Sequence, residues 1–238
     1  GMASALAALD LLAISERDAA CEKSLTAFLF FKGFHAIQAH RAAHLLWAHG
    51  RKYTALLIQS RVSELWGVDV HPAATIGAGL LIDHATGLVI GETAVVGSGC
   101  SFLHGVTLGG TGKEGCGDRH PKIGNNVLVG CNATLLGNVR VGDNCKIGSG
   151  TMLLKDLAPG VTVVGNPARV VGVSTDKCSG LEMDSALSGV MTPGGTRYTD
   201  EHSGFSPSVG QTHSGLRSRS KAHSGVPRSM SSAMLSSL

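Results

Sequence analysis

Asp69 and His84 are the pair in this sequence best suited to acid–base chemistry. A carboxylate bonded to one imidazole nitrogen fixes the tautomer and leaves the other nitrogen as an acceptor, which makes a general base for activating an alcohol near neutral pH. Arg119 and His120 close a glycine-rich stretch that begins at Gly109. A planar guanidinium on such a loop suits a carboxylate or a phosphate, since it binds both bidentately, although the same arginine reads equally well as an exposed loop residue. Asp83 reads first as a turn cap, and Glu92 as an acid in a neutral position. Four histidines, His71, His84, His104 and His120, keep open a second chemistry, in which imidazoles hold a zinc ion and its water.

The elements that must position these residues are written in an internal repeat of six. Large apolar residues recur at Val70, Ile76 and Ile82, at Ile90, Val96, Phe102 and Leu108, and at Ile123, Val129, Leu135, Val141, Ile147 and Leu153. Neither an α-helix nor a β-strand generates that period. One inward aliphatic per hexapeptide predicts a triangular solenoid with three hexapeptides to a coil and ladders of aliphatics along the axis. Asp69 and His84 are fifteen residues apart, close to one coil of about eighteen, so they are expected to meet on adjacent coils. The phase breaks twice, with a step of eight between Ile82 and Ile90 and of fifteen between Leu108 and Ile123. The second break predicts an extruded loop over 109–121, and such loops commonly carry function.

Composition agrees with this plan. The chain of 238 residues is 43% hydrophobic and 16% charged, but only 4% aromatic. Between Gly67 and Gly172 there is one aromatic, Phe102, and 22 of the 33 glycines, so the core there is narrow and built from small and β-branched residues. A net charge of +3 with interspersed signs gives no stripe for nucleic acid. No apolar run approaches the ~20 residues needed to cross a bilayer. Six cysteines without a CxxC pair give no disulfide framework and no zinc knuckle, so a reducing compartment, the cytoplasm, is expected.

Residues 1–67 read as a helical region. Ser4 is expected to cap a short Ala/Leu-rich helix, Ser15 to Asp18 has capping-box spacing, a helix runs from about Ser24 to His49 with Gly50 as its stop, and another runs from about Tyr53 to Trp66. Residues 68–172 form the solenoid. Residues 173–238, with sixteen serines and eight glycines, read as a disordered tail whose His-Ser-Gly copies at His202, His213 and His223 are low-complexity drift rather than metal ligands.

The segments Lys32-Gly33-Phe34-His35-Ala36, Val68-Asp69-Val70-His71-Pro72, Asp83-His84-Ala85-Thr86-Gly87, Gly91-Glu92-Thr93-Ala94, Val106 to Lys113, Gly117-Asp118-Arg119-His120-Pro121-Lys122 and Gly165-Asn166-Pro167-Ala168-Arg169 together resemble the serine O-acetyltransferases. The likeness runs from about Asp18 to Gly172 and is far more specific than the hexapeptide code, which many acyltransferases share. It implies a mainly β fold, a left-handed parallel β-helix behind a short α-helical region, assembled as a trimer with active sites between subunits. That handedness runs against the usual crossover rule and comes from the resemblance alone.

The resemblance also implies roles. His84 is the catalytic base and Asp69 its supporting carboxylate, with Asp18 for the amino end of L-serine and Arg119 and His120 for its carboxylate. Acetyl-CoA, with no metal, would lie past Thr111, Gly130-Cys131 and Gly148-Ser149, with Arg169 near a phosphate. L-cysteine is implied as feedback inhibitor. The family usually carries proline after the serine-site aspartate, where this chain has Ala19. It also has a longer helical region that pairs two trimers into a hexamer; the roughly 65 residues before this solenoid point to a free trimer. The family's terminal isoleucine enters O-acetylserine sulfhydrylase, and the terminal Leu238 here predicts weak binding to that enzyme. The rival readings are acetyl transfer to another hydroxylated acceptor and a zinc hydratase like the γ-type carbonic anhydrases.

Overall fold

The computed structural model describes residues 2–112, 117–174, 179–183 and 190–191. The described residues fall within one compact unit. Its strands make three parallel faces. The first face holds β1 (Asp69–Val70), β4 (Val89–Ile90), β7 (Thr107–Gly109), β10 (Thr134–Leu136) and β13 (Met152–Leu153). The second holds β2 (Thr75–Ile76), β5 (Val95–Val96), β8 (Lys122–Ile123) and β11 (Arg140–Val141). On the third lie β3 (Leu81–Ile82), β6 (Ser101–Phe102), β9 (Leu128–Val129), β12 (Lys146–Ile147) and β14 (Val161–Val164). The fold is thus the left-handed parallel β-helix expected.

Every apolar residue of the repeat lies in a strand, and in-register pairing stacks it on its counterparts. Val70, Ile90, Leu108, Leu135 and Leu153 align up the first face, and Ile82, Phe102, Val129, Ile147 and Val163 up the third. The axis is too narrow for bulk at the corners, so Ala74, Ala94, Cys100, Ala133 and Cys145 fill them, each no more than 1% exposed. Cys21, Cys100, Cys131 and Cys145 are free thiols. Both phase breaks fall at corners. Asp69 pairs with Val89, twenty residues on, and Thr107 with Thr134, twenty-seven on, whereas Val89 to Thr107 and Thr134 to Met152 are eighteen. Of the loop 109–121, residues 113–116 lie outside the described set.

The helices differ from the sequence expectation in three places. Helix α1 runs from Met2 to Arg17, so Ser4 lies inside it, and Ser15 sits in its last turn with Oγ bonded to Leu11 O at 3.0 Å. The Ser15–Asp18 spacing therefore closes a helix instead of opening one, because the hydroxyl finds the i−4 carbonyl first. The helix expected over 24–49 breaks into α2 (Ser24–Phe30) and α3 (Lys32–Ala48), with Phe31 extended at φ −83° and ψ 108°. The bend lets α3 land on the first coil. There Gly33 touches the prism so closely that a Cβ would lie 2.0 Å from Ile82 O, a contact only glycine permits. Helix α4 (Lys52–Trp66) ends at Gly67 as expected.

A second small core of Ile14, Cys21, Ala27, Phe34 and Leu81 joins the helices to β3. A buried ion pair fastens them as well. Both oxygens of Asp10 receive Arg41 at 2.8 Å, and Asp10 Oδ1 also accepts Leu80 N at 3.0 Å.

His40, on α3, is 5% exposed beside His44 and Arg41. Burial and those like charges push its imidazole down to about 3. With a folded pKa below the unfolded value, the unfolded chain binds the extra proton, so this stabilisation is complete above about pH 6.5 and is lost as pH falls toward 3, by about 1.4 kcal/mol per unit. Between pH 7 and 5 the wild type should therefore lose about 2 kcal/mol more than His40→Leu in urea titrations. Equal losses would show that His40 is not responsible.

The expectation of disorder from residue 173 differs from the structure over its first stretch. β15 (Arg169–Ser174) continues past Gly172 antiparallel to β14, and β16 (Val190–Met191) pairs with it. A turn of helix, α5 (Ser179–Glu182), lies on the prism, with Gly180 N bonded to Asn126 O at 2.8 Å and Ser179 fully buried. The alternation Val171, Val173 carries a strand that composition averaging over 66 residues conceals. Residues 192–238, with the three His-Ser-Gly copies and Leu238, lie outside the described residues.

Candidate active site

The candidate residues sort by corner of the prism. His84 stands between the third and first faces, in the corner widened by the step of eight. It and Ala85 take left-handed conformations, both with φ 56°. Non-glycine residues there cost of order 1–3 kcal/mol each, a strain found most often at functional sites. The bulge pushes the imidazole outward, to 74% exposure, with Nε2 3.7 Å from Asp83 Oδ1. The Asp83 carboxylate faces the imidazole from beyond hydrogen-bond distance. His104 sits one coil on, its ring 5.9 Å from that of His84.

The same corner continues along the axis through residues implied for acetyl-CoA. Gly105 N bonds Thr86 O, Asn132 N bonds His104 O and Gly150 N bonds Cys131 O, so the His84, His104, Gly130-Cys131 and Gly148-Ser149 turns form one column. Arg169 is exposed at the start of β15, just beyond its end.

Asp69 is not hydrogen-bonded to His84. It enters β1 in register with Val89, and its Oδ1 accepts Gln59 Nε2 from α4 at 2.6 Å. Asp69 and His84 do lie on adjacent coils, as Gly87 N bonds Gly67 O and Asp69 N bonds Leu88 O, but the outward imidazole makes no contact with the carboxylate. An open groove of about 470 Å³, lined by Leu56, Gln59, Ser60, Ser63 and Glu64, exposes the carboxylate.

Arg119 and His120 lie at the next corner, between the first and second faces, where the loop returns to β8. Arg119 Nη2 bonds Glu92 Oε2 at 2.8 Å, and this hydrogen bond holds the Glu92 carboxyl below its ordinary range. His120 is 7% exposed, and burial, with Arg119 and Lys122 beside it, lowers its pKa and so favours the neutral ring. His71 lines the same corner, its pKa also lowered by burial. Thr111 is exposed at the outgoing end of the loop.

Asp18 is at the third corner. The preceding Arg17 reaches Gly99 O at 3.2 Å between the second and third faces, and Asp18 Oδ1 accepts Ala20 N at 2.8 Å as the chain leaves α1. One chain therefore brings His84 together with the Gly130-Cys131 and Gly148-Ser149 turns, and Arg119 with His120, while Asp18 lies at a third corner and Asp69, on the coil beside the His84 corner, accepts from Gln59. Among the described residues, no three His, Cys, Asp or Glu side chains gather as metal ligands. No helix among them is long and apolar enough to cross a membrane.

Comparison with known proteins gives two family matches, "Serine acetyltransferase, N-terminal" over residues 2–39 and "Bacterial transferase hexapeptide (six repeats)" over 120–155. The serine acetyltransferase of Escherichia coli K12 is 48% identical over 186 residues, covering 78% of this chain and 68% of that protein. The mitochondrial serine acetyltransferase 3 of Arabidopsis thaliana is 59% identical over 181 residues, 74% of this chain and 46% of that protein. The chain spans about half the length of the plant relatives it matches.

Among solved structures, serine acetyltransferase from Vibrio cholerae superposes with a TM-score of 0.77 at 49% identity, covering 78% of this chain and 72% of that one. The soybean enzyme in complex with serine gives 0.69 at 55% identity, with 71% and 69% covered. The Brucella abortus enzyme in complex with coenzyme A gives 0.70 at 52%, with 71% and 68% covered.

Proposed function

This chain belongs to the serine acetyltransferase family, and from that premise we propose that it transfers the acetyl group of acetyl-CoA to the hydroxyl of L-serine, giving O-acetyl-L-serine and CoA, the entry to cysteine biosynthesis. The observation that carries the reading is the column at the third-to-first corner, where an outward imidazole stands in line with turns that suit an extended cofactor. His84 takes the hydroxyl proton as the serine oxygen attacks the thioester carbonyl. Backbone N–H groups steady the oxyanion. Collapse breaks the C–S bond, and the imidazolium returns its proton to the departing CoA sulfur. Asp69 orients the ring and stabilises its charge; an imidazole this exposed turns toward that carboxylate at little cost. Release of CoA from acetyl-CoA with L-serine, set against a panel of sugars and amino alcohols, tests the reading, and a sugar preferred over serine would overturn it.

The separation of the charged groups favours a homotrimer in which the His84 corner of one subunit faces the Arg119 corner of its neighbour, or two such trimers paired as a hexamer. Arg119, His120 and Asp18 then hold the serine zwitterion, and L-cysteine, with the same two ends, competes as feedback inhibitor. Arg119→Ala should raise KM for serine roughly 10- to 150-fold, the loss of a hydrogen bond to a charged group. It should leave KM for acetyl-CoA unchanged; equal rises for both substrates would place Arg119 at the cofactor. The four free thiols accord with a reducing compartment, proposed as the cytoplasm. Weak docking of the last residues on O-acetylserine sulfhydrylase is tested by titrating a peptide of that segment against the enzyme.

A further inference from the structure

Thr93 lies in the corner turn between β4 and β5, and nothing in the period of six marks it out. Five hydrogen bonds nevertheless converge on it. Its hydroxyl accepts the backbone N–H groups of Arg119 at 3.0 Å and His120 at 3.1 Å. Its own backbone N–H donates to His120 Nδ1 at 3.1 Å, its hydroxyl lies 2.9 Å from the same nitrogen, and its carbonyl accepts Lys122 Nζ at 2.9 Å.

The directions of these bonds decide a tautomer. A backbone N–H only donates, so Nδ1 of His120 is the bare nitrogen and the neutral ring carries its proton on Nε2. With two amides on the Thr93 oxygen, the hydroxyl proton has two acceptors in reach, His120 Nδ1 and the Asp118 carboxylate. The ring packs closely over Gly91, where a Cβ would come within 2.1 Å of Nε2, so only glycine leaves room for it. One side chain on the coil thus clasps the backbone at both residues of the anion-binding pair where the extruded loop returns.

We infer that Thr93 is a positioning residue for the substrate carboxylate: it fixes Arg119 beside Glu92 and holds His120 in the Nε2–H form that donates to that carboxylate. The inference deepens the serine acetyltransferase reading and rests on it, while the clasp itself is measurable without turnover.

Thr93→Val keeps the shape and the backbone donor but leaves two amides without their acceptor. In steady-state assays it should raise KM for serine about tenfold, with KM for acetyl-CoA and kcat at saturating serine within about twofold of wild type. Thr93→Ser, which restores the hydroxyl, should return KM to within about threefold. An unchanged serine KM in the valine variant, a parallel rise for acetyl-CoA, or a serine variant as poor as the valine one would each overturn the role. Histidine 15N NMR of the wild-type protein, with the His120 signals identified through His120→Gln, gives the second readout. A bare Nδ1 and protonated Nε2 support the clasp, and the opposite tautomer overturns it. Wild-type protein that shows the expected tautomer yet fails to acetylate serine would overturn the substrate reading and leave the clasp standing.

Discussion

His84→Ala is expected to lower kcat by about two to four orders of magnitude while leaving the affinity for acetyl-CoA nearly unchanged, because a general base acts on the transition state and contributes little to ground-state binding of the thioester. The side chain is exposed on a corner bulge and takes part in no core, so thermal stability should not fall. Alanine also relieves little of the left-handed strain, since the neighbouring Ala85 holds the same φ of 56°. Asp69→Asn should reduce kcat less than His84→Ala, as the imidazole survives without its orienting charge. Single-turnover kinetics on protein of verified fold checks both. Undiminished turnover by His84→Ala would remove the base from the mechanism, and a silent Asp69→Asn would leave the carboxylate a partner of Gln59 alone.

Asp10→Ala should lower stability by about 3–5 kcal/mol, the usual cost of leaving one member of a buried ion pair without the other. Asp10 is fully buried and Arg41 is 8% exposed, and the guanidinium additionally reaches Gly77 O at 2.8 Å, so the pair fastens α1 and α3 to the first coil in one network. For an ordered unit of this size the loss corresponds to a fall in Tm of roughly 6–20 °C. The double variant Asp10→Leu, Arg41→Met should be less destabilised than Asp10→Ala, because it removes the stranded charge together with its partner. A Tm within a degree or two of wild type for Asp10→Ala would show that the helices are held by the apolar contacts of Ile14, Phe34 and Leu81 instead.

The sequence by itself determined the solenoid, because the hexapeptide code is local: each aliphatic contacts mainly its own coil and the two beside it, so a period of six read along the chain is also the list of inward residues. Phe102 shows how far this goes. It is the one aromatic of the middle stretch, it falls on the period, and it is fully buried in the third-face ladder. Composition and spacing also located the extruded loop and the stop of α4 at Gly67. Family resemblance then singled out His84, Arg119 and His120 as residues of interest.

What only the tertiary structure decided depends on distances that spacing does not carry. The bend at Phe31 is silent in the apolar pattern, which runs through it unbroken, and it arises because α3 must approach Ile82 closely. Asp69 accepts from Gln59 of α4 while the His84 ring points outward from the adjacent coil, an orientation that spacing along the chain does not carry. The distribution of His84, Arg119 and Asp18 over three corners follows from the prism having three edges. Thr93 occupies an ordinary position of the repeat, and its role exists only because the returning loop sets the amides of Arg119 and His120 against its hydroxyl. Ladder positions follow from contacts made along the chain's own coil, whereas site geometry follows from contacts between coils of unequal length, and that is why the first could be read from the sequence and the second could not.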